Sequence, residues 1–245
     1  MTPSHTKRRR TRRWVLVSVI AVVVLGALGF GAYAVLHSRY FAATRIIIGG
    51  EHHETAAQIA KVAGLSGAPP MLSVNAGAIQ QEIAAAFPWI ESVSVTSSWP
   101  HTVDVRVTER TPVATIQTHA GTLVLVDVTG RRLGPAAAHA ALPRLEYALP
   151  AGDPAAGALP ATAVPGLQVA STLPRAFAAQ VAVVQVGTDG WVTLHLTTPV
   201  TFILGPATDL SAKYEDVAAV IARTTLHVGD VVDVSVPQAM TVSGP

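Results

Sequence analysis

The sequence predicts an α+β protein: an N-terminal single transmembrane helix, a small β-α-α-β-β domain, then a mostly antiparallel β domain with helices. Three observations predict this. Trp14 to Leu36 is a run of 23 residues without a charge. Two stretches of helical periodicity between 55 and 87 precede apolar/polar alternation over 92–96 and 103–108, on either side of a short loop. From Val113 onward, short Val-, Thr- and Leu-rich runs are separated by Gly, Pro and Asp turn signals.

As a helix rising about 1.5 Å per residue, Trp14 to Leu36 extends roughly 34 Å and crosses a ~30 Å hydrocarbon core. Lys7, Arg8, Arg9, Arg10, Arg12 and Arg13 precede it, and no acidic residue occurs before Glu51. That asymmetry places residues 1–13 in the cytoplasm as a basic tail and sends the rest of the chain across the membrane. Trp14, Tyr33 and Tyr40 suit the two interfacial belts. Ala32-Tyr33-Ala34 resembles a signal-peptidase site, but the apolar run exceeds a ~7–15-residue signal core, favouring an uncleaved anchor.

The charges divide informatively. Of 17 Lys and Arg, six lie before Trp14, leaving eleven against 15 Asp and Glu. The part from Trp14 onward is therefore acidic, about −4, which argues against nucleic acid as a partner. The basic tail is a topology signal with affinity for anionic lipid. With no cysteine, disulfides and thiolate metal sites are excluded.

Residues 37–44 read as a juxtamembrane connector and Arg45–Ile48 as a strand closed by Gly49-Gly50. Thr55 and Gln58 have capping-box spacing, and the helix they open presents Ile59, Val62 and Ala63 before Gly64 ends it. Asn75 caps a second helix with Ile79, Ile83 and Phe87 on one face, stopped by Pro88. Val93 and Val95, then Val103, Val105 and Val107, alternate with polar residues on either side of Ser97–His101, the pattern of a hairpin with one buried face. Residues 45–111 thus form a complete small domain, with Ile83 and Phe87 packing on the valine face.

The order β-α-α-β-β resembles a POTRA module. Phe87-Pro88-Trp89-Ile90-Glu91-Ser92-Val93, Trp99-Pro100-His101-Thr102-Val103 and Val107-Thr108-Glu109-Arg110-Thr111-Pro112-Val113 resemble the FtsQ (DivIB) family of bacterial cell division proteins, as does Ile48-Gly49-Gly50. Ser97-Ser98 departs from the basic residue that the family often carries before its Trp-Pro turn. Bottom-up, Trp99 and Pro100 shape the hairpin loop, and Glu109 and Arg110, as strand neighbours, face opposite sides.

Residues 112–236 read as the second domain. Strands are expected at Val113–Gln117, Thr122–Val128, Leu142–Leu145, Val181–Val186, Trp191–Leu196, Val200–Leu204 and Val231–Val236. Asp127–Gly130 and Gly187–Gly190 are turns, His119-Ala120-Gly121 lies in a strand connection, and residues 148–166 form an irregular loop. Helical signals run from Gln168 to Gln180, broken near Pro174, and from Asp209 to Arg223. Residues 237–245 are expected to be a flexible tail.

No constellation for catalysis stands out: there is no G-x-S-x-G elbow, phosphate loop or S-x-x-K pair. Glu51-His52-His53-Glu54 has ligand-type residues, but neighbours on an extended segment point apart, so a solvated turn is the reading. No catalytic, cofactor or metal site is assigned. A transport-type POTRA protein, or a chaperone for exported polypeptides, is the alternative to a division protein; it ordinarily carries several repeats or a membrane barrel. The family resemblance implies a single-pass type II scaffold at the septum of the bacterial cytoplasmic membrane, with FtsB-like and FtsL-like bitopic division proteins as partners.

The candidate partner site is the last expected strand. An edge strand offers unpaired N–H and C=O groups that a partner segment completes. Val232, Val234 and Val236 are expected to face the core, with Val231, Asp233 and Ser235 on the other face. Pro237 interrupts the ladder, so the nearby helix face around Lys213 and Tyr214 supplements it. The resemblance supports this region, since in FtsQ-like proteins the terminal strand and nearby helix receive the FtsB partner.

Overall fold

The computed structural model describes residues 6–118, 120–137, 141–148, 158–237 and 239–244. They form two compact units, divided between Glu109 and Arg110. Helix α1 (Thr6–Leu36) begins eight residues before Trp14, because the Lys and Arg of the basic tail are good helix formers and extend it. Val17–Leu36 has mean hydropathy 2.5, and none of its residues is buried in the rest of the chain.

In the first unit, strand β1 (Arg45–Gly49), helices α2 (Ala56–Val62) and α3 (Ala76–Ala86), and strands β2 (Ile90–Ser98) and β3 (Thr102–Glu109) follow the expected order. The sheet order is β1-β3-β2, with β1 parallel and β2 antiparallel to the central β3. Both helix caps form as their spacing requires: Gln58 N–H donates to Thr55 Oγ1 (3.3 Å), Thr55 N–H to Gln58 Oε1 (2.9 Å), and Ala78 N–H to Asn75 Oδ1 (3.1 Å). Ile59, Ile79 and Ile83 from the helices bury against Ile90, Val103, Val105 and Val107, with Phe87, Val93 and Val95 half-buried around them. Gly50 has φ +92° and lies against the Val107 carbonyl, where no side chain fits.

The second unit is built on one nine-stranded sheet. Its elements are β4 (Pro112–Gln117), β5 (Leu123–Asp127), β6 (Arg132–Pro135), β7 (Arg144–Tyr147), α4 (Val164–Thr172), α5 (Arg175–Ala178), β8 (Val181–Val186), β9 (Val192–Leu196), β10 (Thr201–Gly205), α6 (Leu210–Arg223), β11 (Val231–Asp233) and β12 (Thr241–Ser243). The strand order is β12-β11-β10-β9-β8-β7-β4-β5-β6. Most neighbours are antiparallel; β4–β7, β7–β8 and β10–β11 are parallel, the last joined through α6. Phe202, Leu194, Val184, Val232 and Leu204 lie at the centre of its core.

Several elements differ from the sequence reading. The short strand expected at Leu142–Leu145 runs from Arg144 to Tyr147. The expected loop holds a helix start: α4 begins at Val164, with Pro165 in its first turn, where the missing N–H costs nothing. Gly166 lets α4 approach Leu145 and Val186 so closely that a methyl group there meets both side chains. Strand β6, carrying Gly134 and Pro135, was not anticipated because both residues read as breakers. His119 and residues 149–157 of the expected loop lie outside the described residues.

Candidate partner-binding face

The far edge of the large sheet differs from the expectation in three ways. The strand expected over Val231–Val236 spans only Val231–Asp233. It is not an edge: β10 pairs with it on one side and β12 on the other, in the registers Phe202↔Val232 and Val232↔Val242. Residues expected to form a flexible tail therefore supply the outermost strand, Thr241–Ser243.

The physical reason lies in two side chains. Asp233 Oδ1 accepts the Ser235 N–H at 2.8 Å, an Asx-type turn that draws the chain out of the ladder. Pro237 then removes a donor, and the chain returns antiparallel. Val234 still donates its N–H to the Ile203 carbonyl (3.0 Å). Val232 and Val234 are fully buried as expected, whereas Val236 is 60% exposed because it lies past the turn. Val231, Asp233 and Ser235 are half-buried, and Ser235 lies where a methyl group on Gly205 would stand.

Lys213 also departs from expectation. It is 1% exposed, so it presents nothing to a partner. Its Nζ donates to the Pro206 carbonyl at 2.7 Å, tying the first turn of α6 to the loop after β10. Burial lowers its pKa, and Asp209 offsets part of that effect. Tyr214 is half-buried; its hydroxyl donates to the Val169 carbonyl (3.2 Å) and lies 3.0 Å from Thr172 Oγ1. Burial raises its pKa against the opposing effect of the Thr172 bond.

Other surface features were not legible from the sequence. An apolar cleft of about 300 Å³ lies between α5 and α6, lined by Pro174, Phe177, Tyr214, Val217 and Ile221 among others. Along the sheet edge, Val236, Met240 and Val242 are all exposed. The alternation in Thr241-Val242-Ser243 was the available signal, but three residues are too short to distinguish from a tail.

The titratable clusters have structural roles. Glu109 Oε1 accepts the His52 and His53 N–H groups, and its Oε2 lies 2.6 Å from His53 Nδ1. The His53 ring stacks on Trp89 with centroids 3.6 Å apart. Burial alone would raise the Glu109 pKa, but the bonds from His53 and His52 lower it to about 2. In the second unit, Asp127 accepts bonds from Arg110 Nη1 (2.6 Å), Thr129 and Arg131. These bonds outweigh burial and hold its carboxyl below the usual value. Glu109 and Arg110 do not pair with each other: β3 ends at Glu109, and each side chain is bonded within its own unit.

Comparison with known proteins bears on the whole chain. Residues 41–110 match the family described as POTRA domain, FtsQ-type. The chain is similar to the cell division protein FtsQ of Streptomyces venezuelae, 30% identical over 237 residues covering 96% of this chain and 84% of that protein. It is 29% identical to that of Streptomyces collinus over 244 residues, 96% of this chain and 89% of the relative. With that of Streptomyces griseus it shares 30% over 195 residues, 77% of this chain and 90% of the relative. With its apolar N-terminal helix, its POTRA domain and its mostly antiparallel second unit, the chain belongs to the FtsQ family of cell division proteins.

Proposed function

We propose that the chain is a bitopic scaffold of the bacterial division machinery, anchored by one type II span with its N-terminus in the cytoplasm and acting at the septum. Its extracytoplasmic units link other single-span division proteins of the FtsB and FtsL kind. The role is binding rather than catalysis; Glu109 and Asp127 are held in hydrogen bonds that shape the chain.

The observation that carries the reading is the outer edge of β12. No further strand pairs with it among the described residues, and exposed Val236, Met240 and Val242 stand beside it. A partner's extended segment adds to β12 through backbone hydrogen bonds, while these apolar groups select its side chains. Val231–Val236 form the supporting layer, and Tyr214 belongs to the adjacent helix surface; buried Lys213 holds the start of α6 to the loop after β10. The test is capture of an FtsB-like partner by a chain ending after Pro237 and by Val242→Pro. Both should lose capture while remaining folded. Unchanged capture by both refutes the edge, and tighter capture by the shortened chain shows that the partner replaces β12 instead of extending it.

A further inference from the structure

We infer that the membrane-near end of the POTRA unit is itself a lipid-binding surface, seated in the headgroup region through Tyr40, Leu72 and Trp99. The inference rests on Val17–Leu36 spanning the membrane.

The distribution of exposed apolar side chains points there. Among residues 37–109, the large hydrophobic side chains with high exposure are Tyr40 (70%), Leu72 (51%), Trp99 (51%) and Ile47 (39%). Three of these four come from separate segments that meet at one end of the unit. The chain leaves α1 without slack: His37 N–H donates to Tyr33 O, Ser38 N–H to Val35 O, and Phe41 N–H to Ser38 O. The half-buried Phe41 ring then stands 6.0 Å from Trp99. Ala43 N–H donates to Pro69 O (2.8 Å), and Ala42 bridges to Pro70, bringing the Leu72 loop alongside. Arg45 N–H donates to His101 O (3.0 Å), and His101 Nδ1 lies 3.3 Å from Ala42 O, fixing the hairpin turn to the same connector. The strand register agrees, since Arg45 and Ser98 both align with Thr102.

Three residues separate Leu36 from Tyr40, so four chain steps give a reach of at most about 14 Å from the helix end. Trp and Tyr favour that depth, where an apolar ring meets the wet headgroups. Charge is permissive as well. The segments 37–48, 65–74 and 96–102 contain no Asp or Glu, and exposed Arg45 suits an anionic headgroup. A membrane interface therefore covers a surface that water otherwise meets.

The absence of cysteine makes depth directly measurable. Nitroxide labels are placed in the full chain at Val24→Cys, Leu72→Cys or Glu91→Cys, the last on exposed Glu91 at the opposite end of the sheet. Each chain is reconstituted into vesicles of phosphatidylethanolamine with a minority of phosphatidylglycerol. Relaxation by oxygen is compared with relaxation by a water-soluble nickel chelate. The label at 24 should favour oxygen, the label at 91 the chelate, and the label at 72 should read between them, clearly less exposed to the chelate than 91. Adding Trp99→Ser and Tyr40→Ser to the Leu72→Cys chain should move that label toward the chelate. A lipid-like reading at 24 with a water-like reading at 72 overturns the inference while leaving the span intact, and it leaves a protein as the occupant of this surface. A water-like reading at 24 removes the span and the inference together. A label at 72 unmoved by the double substitution overturns the anchoring role of the two rings.

Discussion

Phe202→Ala probes how the second unit holds its outer strands. Phe202 is fully buried on β10, aligned with Leu194 on one side and Val232 on the other. Its ring meets Phe177 edge-on, with centroids 6.0 Å apart at 88°. Truncation removes the transfer energy of the ring, leaves a cavity and breaks the aromatic pair, a cost of about 3–5 kcal/mol. With a urea slope of about 2 kcal/mol/M, the midpoint of the second unit falls by about 2 M. The assay is equilibrium unfolding of residues 37–245. Trp191 reports on the second unit, and Trp89 and Trp99 report on the first. Only the Trp191 transition should move. A shift below about 0.5 M means the site collapses around the deletion or that Phe202 is not central to the core. A matching fall in the first unit's transition refutes the independence of the two cores.

Further outcomes follow from individual contacts. Ile83→Ala, at a fully buried position, should destabilise the first unit by about 2–5 kcal/mol, whereas half-buried Phe87→Ala should fall below the ~3–5 kcal/mol of a fully buried ring, both read by thermal melting. Lys213→Met removes the donor to Pro206 but also the burial of a charge, so stability should change by less than about 1.5 kcal/mol and partner capture should be unchanged. Loss of capture by a folded Lys213→Met chain would return Lys213 to the binding surface. For Glu109, the folded pKa lies below its ordinary 4.5, so its stabilisation is complete above that value and is lost as pH falls toward about 2. The stability gap between the unsubstituted chain and Glu109→Gln should close as pH falls from 4.5 toward about 2 in acid denaturation.

The first unit was legible almost residue by residue because local and distant signals agree. Thr55 and Gln58 form their box, Ile79 and Ile83 share a buried face, and Val103, Val105 and Val107 point inward as their period requires. The second unit was legible where turns are marked, as at Gly187–Gly190 between β8 and β9. It was opaque where tertiary pairing overrides composition. Gly134 and Pro135 pair in β6 despite their propensities, and Thr241–Ser243 acquires a strand only because β11 offers a partner. Lys213 was misplaced for a related reason: its charge predicts exposure, and only the Pro206 carbonyl explains its burial. The role of Glu109 required contacts more than fifty residues away, beyond any periodic pattern.

Strand β7 has a mechanical meaning within the nine-stranded sheet. It touches β4 through the single register pair Thr115↔Arg144, while four pairs bind it to β8. On one side lies the block β4-β5-β6, and on the other the block β8 through β12. In backbone pairing the sheet is therefore narrowest at that seam, while α4 and one continuous core cross it and hold the two blocks together. Amide exchange should show β8 through β11 protected together, with Thr115 and Arg144 opening at lower free energy than either block.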